Sequence, residues 1–337
     1  MKAIVSHGIK DFRLEDCPVP TLKDHDVLLA VHFCGVCGTD IHQYHGTWEL
    51  RTGCTSGHEF SGIIEEVGSK VTRFKSGDRV AIDPGTVCRT CNYCREGKTH
   101  LCSDRLGIFH YSRGGFSEYT TVPESQLYRL PEGMPMEWGA FLEPASCCVH
   151  GIDRAAIKPG QTVAVLGGGA IGLLLMQMAL LSGATRVIVS EPQKDRRRIA
   201  RELGATGTVD PSKNDAVEAI TALAGGKIDV AIESAGLAAT VSQCFDLVKP
   251  GGKILLFGVC NPDARVSFSP YQVFRNELTI LGTVMSADAF PRTMELISSE
   301  KLRVEPLISH VLPLDKFHDA IELHEQGRGL KILVTPR

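Results

Sequence analysis

No apolar run in the 337-residue chain reaches the roughly 18–20 residues needed to span a bilayer, so no membrane helix and no membrane partner are expected. The opening stretch, MKAIVSHGIKDF, has no apolar h-region of the kind that marks a signal peptide. The expected compartment is therefore the cytoplasm. Long basic runs are also missing: 36 Lys and Arg face 39 Asp and Glu, for a net charge of -3. Arg196, Arg197 and Arg198 form the densest cationic patch, and a helix surface accounts for it, so nucleic acid is not an expected partner. There is no internal repeat and no low-complexity segment. The chain is 43% hydrophobic and 22% charged, as soluble globular proteins are. Its length exceeds the about 250–300 residues at which single cores stop growing, which implies two domains.

Cysteine and glycine are plentiful, at 12 and 34 residues. In a reducing compartment such a cysteine count argues for metal binding over a disulfide framework. Cys88, Cys91, Cys94 and Cys102 stand in CRTCNYCREGKTHLC, within a lobe at about 86–104. Two-residue gaps make tight knuckles, and four thiolates wrap one zinc tetrahedrally. Such a closed site is structural, a staple for a lobe too short to bury a core of its own. An iron–sulfur cluster is the competing occupant, disfavoured because no proline follows the last cysteine.

A second cluster precedes it in CGVCGTDIHQYHGTWELRTGCTSGHE, residues 34–59. Cys37, His58 and Glu59 offer a thiolate, an imidazole and a carboxylate, all of which zinc accepts. The competing reading is a buried thiol and a core histidine. Thr39, Asp40 and His42 are polar groups able to orient a ligand or move a proton. Further on, Glu143 stands before Pro144. A residue before proline is biased toward extended backbone, from which Glu143 could join a metal site. The alternative is an N-terminal charge on a helix, since proline suits a first turn.

From about residue 149 to 287 the pattern changes to alternating strands and helices. Thr162–Leu166 reads as a buried strand and is followed by GGGAIG. Gly167, Gly169 and Gly172 satisfy G-x-G-x-x-G, with Ile171 inside the motif, and an apolar helix continues to Leu181. A second strand, 186–190, ends at Glu191, which is 19 residues past Gly172. That is where a ribose-binding carboxylate belongs in a dinucleotide fold. The glycines let the backbone approach a pyrophosphate seated on the helix N-terminus. Glu191 favours NAD over NADP, a preference that Arg196 and Arg197 soften. Further strands at 207–210, 228–233, 253–258 and 278–282, with helices at about 193–203, 214–224 and 238–247, complete a parallel doubly wound sheet. Ser234, Gly236, Gly258 and Val284 lie at carboxyl ends of these strands, where cofactors bind. Residues 288–337 are too short for a domain and are expected to pack back on residues 1–148. The edge strand near 277–281 invites pairing across a two-fold axis.

The motifs GVCGTDIH, GHEFSG, the four-cysteine lobe, EPAS and GGGAIG together resemble the zinc-dependent medium-chain alcohol and polyol dehydrogenases over essentially the whole chain. The resemblance implies a β-rich GroES-like catalytic domain formed by both chain ends around a Rossmann domain: an α/β protein with two zinc ions and NAD. It places Cys37, His58, Glu59 and Glu143 around a catalytic zinc, without deciding which glutamate is the direct ligand. It makes Asp40 a partner of His58, and Thr39 and His42 a proton relay. The zinc acts as a Lewis acid on an alcohol, which gives hydride to nicotinamide. Glu143 points to the sugar-alcohol branch and so to a polyol, a sugar acid or a phosphorylated polyol. Gln43, and Met285 near the position of a substrate-reading arginine, depart from sorbitol dehydrogenases. A threonine 3-dehydrogenase activity is the second reading, and a non-catalytic binding protein the third. Family habit implies a homodimer or homotetramer.

Overall fold

The run Asp26–Gly35, DVLLAVHFCG, is a strand on which the largest sheet is assembled. β-branched and apolar residues fit a pleated surface with one buried face, and Val27, Leu29 and Val31 are fully buried. Glu59–Val67 pairs antiparallel with it along most of its length, Tyr119–Pro123 pairs with its first half, and Lys331–Thr335 meets its end. The sheet has seven strands, in the order Ile308–Pro313, Lys331–Thr335, Asp26–Gly35, Glu59–Val67, Arg79–Ile82 and Leu127–Arg129, with Tyr119–Pro123 off that path. Phe60, Ile64, Phe116 and Phe317 join its core, and Phe116 meets Phe317 edge-on at 4.9 Å. Each such fully buried side chain contributes about 1.5–3 kcal/mol.

This computed structural model describes residues 1–48, 50–104, 106–107 and 114–336. Contacts divide the chain into two units. One comprises Met1–Ser146, Phe290–Ser299 and Val304–Arg337; the other comprises Cys147–Ala289 and Glu300–Arg303. The first is thus β-rich and draws on both chain ends.

The second unit is a six-stranded sheet in the order Gly207–Val209, Arg186–Ser190, Thr162–Leu166, Ile228–Glu233, Val248–Leu256 and Thr279–Gly282. Every pairing is parallel. Numbered along the chain, this is the 3-2-1-4-5-6 order of the Rossmann fold, with its switch point between the first and fourth strands. The fold is therefore α/β, a doubly wound Rossmann unit with a GroES-like unit. Central strands such as Thr162–Leu166 are apolar throughout because helices cover both faces of such sheets. Local signals set the helix ends. Ala216–Ala224 begins after Asp215, whose carboxylate accepts the Glu218 N–H at 2.9 Å, and stops at Gly225 with φ +75°. The edge strand Thr279–Gly282 is largely exposed.

Glu143 departs from the extended backbone that the following proline favours. It lies in the first turn of the helix Leu142–Ala155. Pro144 is tolerated there because the first N–H groups of a helix have no intrahelical acceptor. Among the described residues, no helix is long and apolar enough to cross a membrane.

Candidate active site

The strand Asp26–Gly35 runs directly into a short helix, Gly38–Tyr44, whose N-cap is Cys37. The Cys37 sulfur accepts the Thr39 N–H at 3.5 Å, and the Cys37 N–H donates to Asp40 Oδ2 at 2.9 Å. This reciprocal capping box fixes the thiol's direction. His58 and Glu59 arrive at the start of the neighbouring strand. Ligand atoms of Cys37, His58 and Glu59 all lie within 4.8 Å of one another, with His58 and Glu59 buried. Burial alone would lower the His58 pKa, but the Cys37 thiolate, then Asp40 and Glu143, hold it well above its usual value. Glu143 is thus close enough to act on this cluster. The pocket gathers anionic groups in a buried place, the environment a divalent cation neutralises.

Asp40 has two partners. Its Oδ1 faces His58 Nδ1 at 4.0 Å, within ion-pair range, and its Oδ2 accepts the Cys37 N–H. Thr39 and His42 are three apart on the helix and share a face. His42 Nδ1 lies 2.9 Å from Thr47 Oγ1, and its ring stacks on Trp48 at 4.8 Å.

Lys331, which sequence reasoning passed over, completes the cluster. Its ammonium donates to Glu59 Oε2 at 2.5 Å and to the Val36 carbonyl at 3.3 Å, and the residue is only 4% exposed. Burial would lower its pKa; Glu59, then Cys37 and Glu143, raise it instead. In the sequence it looks like a charge opening the strand KILVT, and nothing local separates it from a solvated lysine.

In the lobe, Cys102 Sγ is 3.5 Å from Cys88 Sγ and 3.9 Å from Cys91 Sγ, and all four sulfurs lie within 4.8 Å of one another. Zinc–sulfur bonds of about 2.3 Å in a tetrahedron separate sulfurs by about 3.8 Å. The spacing fits a single ion and is too tight for the several atoms of an iron–sulfur cage. Backbone N–H groups of Thr90 and Cys91 point at Cys88 Sγ, and that of Cys88 at Cys102 Sγ. Hydrogen bonds from the Cys94 and Ser103 backbones bring the Cys91 thiol down to about 6, while burial and the neighbouring sulfurs push Cys94 up to about 12.

The second unit holds the glycine-rich turn. Gly167 has φ +109°, and Gly169 caps the helix Ala170–Leu181, which carries Ile171 and Gly172 in its first turn. A Cβ on Gly172 would stand 1.9 Å from the Gly167 carbonyl oxygen. Gly172→Ala is therefore expected to open the turn and weaken dinucleotide binding at least about tenfold (1.4 kcal/mol), as isothermal titration would measure; unchanged affinity would exclude the turn from binding. Glu191 is 3% exposed; its carboxylate accepts the N–H groups of Gly168 at 2.8 Å and Gln193 at 2.9 Å, with Arg196 Nη1 3.9 Å away. Arg197 turns instead to Asp210 at 2.9 Å. The Ser234 hydroxyl lies 3.0 Å from the carbonyls of Leu166 and Gly167, so it braces the turn. Gly236 and Gly258 are packed against each other: a Cβ on Gly258 would lie 2.4 Å from the Gly236 nitrogen. Val284, just beyond the edge strand, is half exposed. Glu233 was also missed. Fully buried, it accepts the N–H groups of Ala235 and Gly236 and the Thr240 hydroxyl through Oε1, shaping the loop after the fourth strand.

Residues 23–132 match the alcohol dehydrogenase GroES-like domain family, and residues 170–299 match the zinc-binding dehydrogenase family. The chain belongs to the zinc-dependent medium-chain dehydrogenases. Curated members of this family to which the chain is similar include D-arabinitol dehydrogenase 1 of Uromyces fabae, 32% identical over 100% of the chain and 97% of the relative. A D-xylulose reductase A of Arthroderma otae is 35% identical over 99% of the chain and 96% of the relative. Among solved structures, a zinc-binding dehydrogenase from Sinorhizobium meliloti 1021 with NADP bound superposes with a TM-score of 0.96 at 39% identity, covering 99% of both chains. Galactitol-1-phosphate dehydrogenase from Escherichia coli does so with 0.91 at 28%, covering 100% of both chains. As a medium-chain dehydrogenase the chain is an oxidoreductase that uses zinc and a nicotinamide cofactor and acts on a small molecule.

Proposed function

We propose that this dehydrogenase oxidises a secondary hydroxyl of a polyol, or of a related sugar derivative, with two zinc ions and NAD. The observation that carries the reading is the Cys37/His58/Glu59 triad, its histidine and glutamate buried and its three ligand atoms within 4.8 Å of one another, in a chain whose relatives over nearly its full length are named for arabinitol and xylulose. Cys37, His58 and Glu59 hold the catalytic metal, and Glu143 stands by as a further carboxylate. Zinc, when bound, would supply the Lewis acidity that makes an alcohol easier to deprotonate, and a bound nicotinamide would supply the hydride-accepting chemistry. Thr39 accepts the hydroxyl proton and His42, on the same helix face, passes it to solvent. Cys88, Cys91, Cys94 and Cys102 hold the structural zinc, and cysteines kept reduced as metal ligands suit the cytoplasm.

NAD is the proposed dinucleotide because the fixed carboxylate of Glu191 receives a ribose 2′-hydroxyl and repels a 2′-phosphate. The relative with NADP bound makes this a sharp test. kcat/KM for NAD is expected to exceed that for NADP by about tenfold or more, equivalent to 1.4 kcal/mol, and Glu191→Ala is expected to narrow or invert that ratio. An NADP preference in the parent enzyme would overturn the assignment. The exposed edge strand Thr279–Gly282 supports a homodimer or homotetramer, with two such edges paired; a monomer in sedimentation analysis would refute it.

Metal content per chain, together with cofactor reduction across polyols, sugar acids, phosphorylated polyols and threonine, tests the main reading. About two zinc ions per chain and turnover on a polyol or sugar derivative are expected. Turnover on threonine alone would replace the substrate class, and one zinc with no turnover would point to a binding role.

A further inference from the structure

We infer that Lys331 is a positioning residue for the catalytic metal: it withholds one oxygen of Glu59, so that Glu59 gives a single ligand bond and a coordination position stays open for substrate. This rests on the reading of Cys37, His58 and Glu59 as zinc ligands.

Three adjacent strands impose the arrangement. Leu333 of the last strand pairs with Gly35, and Gly35 pairs with Glu59. Gly35 has no side chain, and Lys331 reaches through the gap. A Cβ on Gly35 would stand 2.3 Å from Glu59 Oε2 and 3.3 Å from Lys331 Cδ. The ammonium is 2.5 Å from that same Oε2, with side-chain exposures of 5% for Lys331 and 1% for Glu59. A buried lysine is costly unless it is paired, and a charge-assisted bond of this length ties the oxygen down. Freed from it, a carboxylate beside a zinc ion can chelate through both oxygens. A catalytic zinc needs an open fourth position, and it accepts five ligands when they are offered. Chelation by Glu59 would fill the place of the substrate.

The test uses the full-length enzyme with cobalt(II) in place of zinc, because its visible d–d bands are stronger in four-coordinate than in five-coordinate sites. The Cys37→Ser variant isolates the bands of the catalytic site. In Lys331→Met the metal is expected to remain bound, the Cys37-dependent bands to weaken, and kcat to fall about 10–100-fold, the size usual for residues that orient metal ligands. Lys331→Arg, which keeps the cation, is expected to restore both. Should Lys331→Met fail to fold, Lys331→Gln takes its place with the same expected band change. Cys37-dependent bands and kcat that match the parent in a folded Met or Gln variant overturn this inference alone. Parent bands that do not depend on Cys37 overturn the metal reading and this inference with it.

Discussion

Replacing Cys37 by serine is expected to abolish turnover while leaving a folded protein that still binds the dinucleotide. The thiol does two jobs. As N-cap of the helix Gly38–Tyr44 it accepts the Thr39 N–H, a role that a serine hydroxyl also fills, since serine is among the preferred caps. As a thiolate beside His58 and Glu59 it supplies a soft anionic ligand, which a hydroxyl does not. The helix therefore survives and the metal is lost. Removing the Lewis acid costs several kcal/mol of transition-state stabilisation; about 4 kcal/mol already lowers the rate about a thousandfold. The glycine-rich turn and Glu191 belong to the other unit, so dinucleotide affinity should stay within about twofold of the parent. Metal analysis should fall from about two zinc ions to one. Normal turnover in this variant would remove Cys37 from the catalytic centre.

Cys91→Ser is expected to act on stability rather than on chemistry. The lobe around Cys88–Cys102 contains only a four-residue helix, Asn92–Arg95, and a single 3-10 turn, Thr99–Leu101. Of its four cysteines only Cys102 is buried. With so little core, the lobe would take its order from the proposed zinc, whose binding free energy would be folding free energy. Losing one of four thiolates removes much of it. A cost of even about 3 kcal/mol lowers Tm by about 6–12 °C for units of this size, and calorimetry with and without added zinc reads it directly. A variant with the parental Tm and zinc content would rule out the structural site.

Much of the candidate site was legible because the chemistry is local. Cys88, Cys91 and Cys94 are held together by the two-residue gaps between them, and Gly167 to Gly172 by a single strand–turn–helix. Asp215 before the helix Ala216–Ala224 caps it through the next few residues alone. The alternating elements of residues 162–282 implied a parallel doubly wound sheet because parallel strands need crossover helices.

Other features came from contacts between distant residues. The tertiary structure brings Asp40 to His58, with Oδ1 4.0 Å from the imidazole, while its other oxygen accepts the Cys37 N–H. Glu143 became helical because the turn absorbs a proline without losing a hydrogen bond. Glu233 was an unremarked strand end until the fold buried it under the loop it organises.

The clearest division runs through the metal cluster itself. The donor chemistry, a thiolate, an imidazole and carboxylates, is legible in the residue types alone, because ligand type is a property of side chains. The charge that faces them depends on the fold. Lys331 is 272 residues from Glu59, and sheet register alone carries it past Gly35 to the carboxylate. A one-residue slip of that strand would turn the lysine to the opposite face. Pairing register across such a distance is selected by the packing of the whole core.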